Sequence, residues 1–178
     1  MLTDSFDPRT PAKINPAPSP DALPVDACIL TFSWKIADYV LAAYPCRQIG
    51  WSRSACGDTP IYCLDREGKR FAFFLSYIGA PACTAMIEET RAVFRTEKYV
   101  LFGGAGCLDK EIARGKVMVP TAAYRDEGTS YHYAPAADYI DLPGARAVAA
   151  FCEESGLPYA LGKTWTTDAI FRETEGNF

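Results

Sequence analysis

Apolar and polar positions fall in alternating blocks along this chain, and the block lengths predict strands and helices in turn. Ala27–Phe32 is a short apolar run, the signature of a buried strand. From Trp34 to Tyr44 the apolar residues Ile36, Tyr39, Val40 and Ala43 recur at the spacing of one helix face, and Pro45 stops the pattern. Residues 61–64 and 71–78 read as two strands around the polar turn Asp65-Arg66-Glu67-Gly68. Cys83–Arg95 reads as a helix with Met86, Ile87, Thr90 and Phe94 on one face. Tyr99–Phe102 is a further strand that runs into Gly103-Gly104-Ala105-Gly106, and Val117–Ala122 is another. Ala145–Glu154 is a helix closed by Gly156 and Pro158, and Tyr159–Thr166 is a last strand. This alternation, with one hairpin, predicts an α/β fold in layers around a mainly parallel or mixed sheet.

Residues 1–25 break the pattern. Six of the thirteen prolines lie between Pro8 and Pro24. Each lacks an N–H and restricts its predecessor, so an extended arm is expected here and a single domain over 26–178. The arm is either loose or laid on a neighbouring subunit. The apolar share of 49% and charged share of 22% are those of a globular protein and exclude bulk disorder, collagen and coiled coil. A net charge of −4 argues against nucleic acid as a partner. No apolar run approaches a membrane span, and the N-terminus lacks the basic and apolar regions of a signal peptide. The seven cysteines are scattered without a CxxC pair, so neither a metal site nor a disulfide framework is expected, and a reducing cytoplasm is the simplest location.

Three segments could carry chemistry. Gly103–Gly106 follows a strand, where ligands of open α/β sheets bind, but the spacing fits neither GxGxxG nor a Walker loop, and a tight turn is an equal reading. Tyr124–Tyr133 gathers Arg125, two carboxylates, two hydroxyls and the single histidine, His132, on an expected loop; it is either a functional loop or an ion-paired loop or subunit contact. Thr164–Thr174 sets Thr166, Thr167 and Asp168 beside Ile170 and Phe171, which suits a planar polar ligand or, equally, a helix cap with Trp165 in the core. No GxSxG elbow is present, and Glu88 and Glu89 sit on consecutive helix positions that point apart.

Taken in order, these pieces resemble the purine nucleoside phosphorylase/uridine phosphorylase family. Ser76-Tyr77-Ile78-Gly79-Ala80-Pro81 and the helix bearing Glu88-Glu89 are similar to the family's strand, Gly-x-Pro turn and helix. Phe102–Leu108 resembles its ligand loop, Gly115–Pro120 the strand that follows, and Arg125–Tyr133 and Gly162–Thr174 its uridine-phosphorylase-like segments. The resemblance implies a three-layer α/β/α fold with a mixed, partly barrel-like central sheet, homo-oligomers with sites near subunit contacts, and phosphorolysis of a nucleoside to free base and pentose 1-phosphate. Inorganic phosphate would be a co-substrate, with no other cofactor and no metal. Gly104, Ala105 and Gly106 would line the sugar–base–phosphate junction, and Thr166, Thr167, Asp168, Ile170 and Phe171 would flank the base.

The departures shape further expectations. The early phosphate loop reads Phe32-Ser33-Trp34-Lys35-Ile36, without the family's glycine and arginine, and Leu101 stands where an arginine is common. Lys35, Arg47 or Arg53 could take over the phosphate, while Arg125 and His132 serve either phosphate or a subunit interface. Missing guanidinium contacts favour a hydrolytic nucleosidase of the same fold as the rival reading. The family's ribose-binding Met-Glu stretch and catalytic acid would fall beyond residue 178. The chain is therefore expected to lack the C-terminal part of the fold, and a non-catalytic nucleoside-binding or oligomerisation fragment is a third reading.

Overall fold

A computed structural model of the chain describes residues 1–18, 23–55 and 57–177. Residues 19–22 of the expected arm, Cys56 and Phe178 lie outside the described residues. The chain divides into two compact units, Pro11–Ala105 and Met1–Thr10 with Gly106–Phe178.

The first unit is built on a five-stranded mixed sheet. Its strands are β1 (Ala27–Thr31), β2 (Cys46–Ser54), β3 (Gly57–Arg66), β4 (Lys69–Leu75) and β5 (Tyr99–Phe102), in the order β2-β3-β4-β1-β5. β1 runs parallel to both β4 and β5, with Ile29 opposite Phe73 on one side and Val100 on the other. β3 pairs antiparallel with β2 and β4. Its turn into β4 uses Glu67 and Gly68, both at positive φ (53° and 74°), which the glycine accepts without strain.

Strand alternation then sorts the core. Cys28, Leu30, Ala72, Phe74 and Ile61 point to one face, where helix α2 (Ala80–Phe94) buries Met86 and Phe94 against them. Thr31 and Phe73 point to the other face and are also buried, with helix α1 (Trp34–Ala43) packed on β1 and β4. Successive right-handed crossovers running in opposite directions across a sheet place their helices on opposite faces. The unit is thus helix, sheet and helix, the expected layering. Tyr99 ties α2 to the sheet edge: its hydroxyl donates to the Ile87 carbonyl (3.2 Å) and meets the Thr90 hydroxyl at 3.1 Å.

The second unit carries a three-stranded sheet, β7-β6-β8, of β6 (Val117–Asp126), β7 (Tyr139–Asp141) and β8 (Tyr159–Thr167). β6 and β8 are parallel, and β7 is antiparallel to β6. Helix α4 (Ala145–Glu154) closes one face through Ala145 and Cys152 against Val119 and Tyr159. A single-turn helix, α3 (Lys110–Ala113), follows the glycine loop, and Asp109 caps it by accepting from the Glu111 and Ile112 amides. The N-terminal turn Leu2–Asp4 packs on this unit, with Leu2 against Gly128.

One expectation needs correction. Tyr124, Arg125 and Asp126 are not loop residues: they pair with Trp165, Thr166 and Thr167 of β8 and carry β6 four residues beyond the expected end. Among the described residues two strands and one α-helix had no forecast. β2 hides its period because its register shifts between Gln48 and Gly50, so its apolar residues do not alternate. β7 and α3 have three and four residues, too few for any period to register.

Phe74 is fully buried at the centre of the first core. Phe74→Ala is expected to cost about 3–5 kcal/mol, read as a lowered urea midpoint. Burial also pushes the Cys28 thiol up from 9.0 to about 11. Between those values the unfolded chain has lost the proton while the folded chain keeps it. Stability is therefore complete below pH 9, falls as pH rises towards about 11, and Cys28→Ala should flatten that fall in urea melts across the range.

Candidate functional site

In the first unit, parallel strands end together. Thr31 lies level with both Leu75 and Phe102, so the segments after β1, β4 and β5 leave the sheet at one edge. That edge carries Phe32–Lys35, Ser76–Tyr77 and Gly103–Ala105. The Ser76 amide donates to the Thr31 carbonyl at 2.8 Å and holds the first two segments together. The Gly103 backbone passes the Phe32 ring so closely that a Cβ would touch it at 3.6 Å. Gly104 has open space where a Cβ would be, and both glycines keep ordinary φ values. The special backbone freedom of glycine is therefore not used at either position.

β2 runs parallel to β4, since each is antiparallel to β3, so its C-terminal end reaches the same edge and brings Arg53 with it. The Tyr77 hydroxyl fastens that corner by donating to the carbonyls of Gly57 (2.7 Å) and Ser52 (3.2 Å). Lys35 is exposed in the first turn of α1, whose N-terminus sits at this edge. Two exposed cations, two helix N-termini and a bare glycine backbone thus share one edge, an arrangement suited to an anion. Arg47 stands at the opposite end of β2, away from it. Glu88 and Glu89 turn to different partners, Arg91 at 3.9 Å and the Ser52 hydroxyl at 3.4 Å, so they form no acid–base pair.

In the second unit β6 and β8 also end level, at Asp126 and Thr167. The Trp165 indole N–H donates to Asp126 Oδ2 at 3.0 Å. The Asp168 amide donates to the Asp126 carbonyl, and Asp168 Oδ2 accepts the Gly128 amide, both at 3.2 Å. Thr167 Oγ1 accepts from the Ala169 amide at 3.1 Å and sets the turn into Ile170–Arg172. Ala169, not Thr167 or Asp168, occupies the cap position of that turn. Beyond it Phe171 stands 96% exposed and Ile170 69% exposed. Thr166 is exposed and Thr167 half-buried.

Arg125 is buried, and its guanidinium is engaged inside the unit. Nε donates to Ser130 Oγ (2.7 Å), Nη1 to the carbonyls of Pro135 (2.7 Å) and Ala137 (3.3 Å), and Nη2 to that of Ala134 (3.4 Å). The Tyr131 ring covers it at 4.1 Å. The phosphate reading of Arg125 is thereby corrected: its donors are spent on the loop, and the dense polar cluster of 124–133 is an internal contact. His132, seven residues after Arg125, is exposed.

The expected site residues therefore fall in two groups. Lys35, Arg53, Gly104 and Ala105 share one edge of the first unit, while Thr166, Thr167, Asp168, Ile170 and Phe171 share one edge of the second, and Gly106 opens the second unit. The sequence reading missed Asp126 as partner of Trp165, and the aromatic row Tyr139–Tyr124–Trp165 across three strands, with centroids 5.3 and 6.5 Å apart. Both depend on strand register, which the sequence signals only once β6 is extended to Asp126. Cys107 adjoins Lys110, Glu111, Ala113 and Arg114 around a shallow cavity of about 280 Å³, and its thiol donates to the Asp109 carbonyl.

Parallel strands that end level, one edge lined by glycine and another by hydroxyls and aromatics, mark an α/β protein of the kind in which small ligands bind at strand ends. Residues 35–177 match the Phosphorylase superfamily, and the chain belongs to that family. A uridine phosphorylase of Thermococcus kodakarensis is 32% identical over 98 residues, which is 53% of this chain and 34% of that protein. The aligned part is thus about a third of that relative's length. Among solved structures, a uridine phosphorylase from Vibrio fischeri ES114 superposes with a TM-score of 0.73 at 18% identity, over 93% of this chain and 70% of that one. Helicobacter pylori MTAN superposes with a TM-score of 0.67 at 16% identity, over 85% and 71%. The chain has the mixed α/β fold of these nucleoside phosphorylase-like structures.

Because Gly104 has room for a side chain, Gly104→Val should leave the far-UV circular dichroism unchanged and weaken nucleoside binding at least about tenfold by calorimetry.

Proposed function

We propose that the chain acts on nucleosides, releasing the base with transfer of the pentose to phosphate. The observation that carries this reading is the family match over 35–177, which spans both strand-end edges. Cleaving the bond between base and sugar develops positive charge on the sugar as the base leaves with negative charge. The protein's work is then to place the attacking oxygen and to stabilise charge at both ends. Gly104 and Ala105 offer backbone at the first edge, with Lys35 and Arg53 as the cations for phosphate. Thr166, Thr167 and Asp168 offer hydrogen bonds to a base, with Phe171 as a stacking surface. Gly106 belongs to the same loop. Phosphate is the co-substrate, and no further cofactor is required.

A hydrolytic nucleosidase is the second reading. It is favoured by the early loop Phe32-Ser33-Trp34-Lys35-Ile36, which offers a lysine and no arginine to hold a phosphate. Further proposals are assembly into homo-oligomers, with exposed His132 at the contact, and a cytoplasmic location. Among the described residues no helix is long and apolar enough to cross a membrane.

Release of free base from uridine, inosine and adenosine, followed by chromatography with and without phosphate, tests the reading. Release that requires phosphate is expected, with Lys35→Ala and Arg53→Ala each raising the phosphate KM. Equal release without phosphate would establish hydrolysis instead. No release from folded protein would overturn the enzyme reading in favour of binding alone.

A further inference from the structure

A buried guanidinium is costly unless its donors are satisfied and its charge is matched. Arg125 is 5% exposed, yet among the described residues no carboxylate lies within ion-pair distance of it. Its partners are instead one hydroxyl and the carbonyls of residues 134, 135 and 137. Those carbonyls come from an irregular segment with no sheet or helix to satisfy them. Arginine's flat fork can collect several acceptors at once, which the single ammonium of lysine cannot match in geometry. The arginine is therefore the fastener of residues 129–137.

The same loop is tied to the second strand-end edge. Arg125 lies opposite Thr166 in the β6–β8 ladder. The Glu127 carboxylate accepts from the Thr129 and Ser130 amides at 2.7 and 3.0 Å, so the segment that Arg125 grips turns sharply just after Gly128. Gly128, held on that side, presents its amide to Asp168 Oδ2. Asp168 in turn lies two residues before the Ile170–Arg172 turn that carries Phe171.

We propose that Arg125 is a positioning residue for the base-facing turn Thr166–Phe171, acting through the Gly128–Asp168 hydrogen bond. This rests on the nucleoside reading above for the identity of the ligand, a free nucleobase or its nucleoside. Loss of the fork loosens the loop, Gly128 drifts, and Asp168 loses the donor that orients it. The result is weaker binding of the base, with the phosphate-facing edge of the first unit untouched.

The test uses the full chain with uracil and hypoxanthine as probes. Arg125→Met should raise amide exchange at Gly128 at least about tenfold while Ala122 and Ala123 in β6 stay protected, and weaken base binding about tenfold. Arg125→Lys should fail to restore either. Asp168→Ala, which removes the acceptor for the Gly128 amide, should weaken binding too, and adding Arg125→Met to it should have no further effect, because both act on one link. If Arg125→Met does not fold, Ser130→Ala removes one acceptor only and should move the same two readouts by a few-fold in the same direction. Unchanged Gly128 exchange in a folded variant, or additive losses in the double variant, would overturn the proposal. An unmodified chain that binds no base would sink the nucleoside reading and its ligand, while Gly128 exchange would still decide whether Arg125 sets the turn.

Discussion

The hydrogen-bonded ladder of β1, clasped between β4 and β5, is the constraint on which the first unit depends. A strand parallel to both neighbours needs a crossover on each side, and the two crossovers supply α1 and α2. Both faces of β1 are then buried, so its sequence is apolar throughout, with Thr31 the single polar exception. The same ladder fixes where three strands stop. The segments that begin at Phe32, Ser76 and Gly103 collect at one edge because Thr31, Leu75 and Phe102 are level in the sheet.

The second unit solves a different problem. Its buried cluster is small, Val119, Ala145 and Cys152 with Tyr159 packed on it. Apolar burial of that size leaves little to order long connections. Polar fasteners carry the rest: the Arg125 fork, the Trp165–Asp126 bond and the Gly128–Asp168 bond all lie at the strand ends. Net gain per hydrogen bond is about 1 kcal/mol, so their effect is on geometry more than on total stability. A sheet whose ends are set by polar contacts can place hydroxyls and an aromatic in the open, as Thr166 and Phe171 are placed.

Most of the fold was legible where one physical signal dominates a segment. The run at 27–32 forms a strand paired on both sides, the run at 99–102 is apolar without a break, and the helices at 34–44, 83–95 and 145–154 carry a clear period. β2 was illegible because a register shift at Gln48–Gly50 breaks the alternation, and β6 was cut short because Arg125 and Asp126 read as loop polarity. Polarity in a strand is permitted when the partners come from elsewhere in the chain. Ser130 and the carbonyls of 134–137 do this for Arg125, and no local pattern announces them. The candidate site was read in the same uneven way. The glycine loop and the Thr-Thr-Asp segment were found by composition and resemblance, whereas grouping Lys35 and Arg53 with the loop required knowing that β2 runs parallel to β4.

β5 lies at the end of its sheet, and Val100, Leu101 and Phe102 are each more than a third exposed. An outer strand of this kind combines free backbone donors and acceptors with a greasy surface. No proline or charge interrupts it from Tyr99 to Phe102, so none of the usual gatekeepers is in place. Colloidal behaviour then becomes a property of concentration. Such a strand meets strands of other molecules more often as a sample is concentrated, so purification yield and storage life would be governed by these four residues.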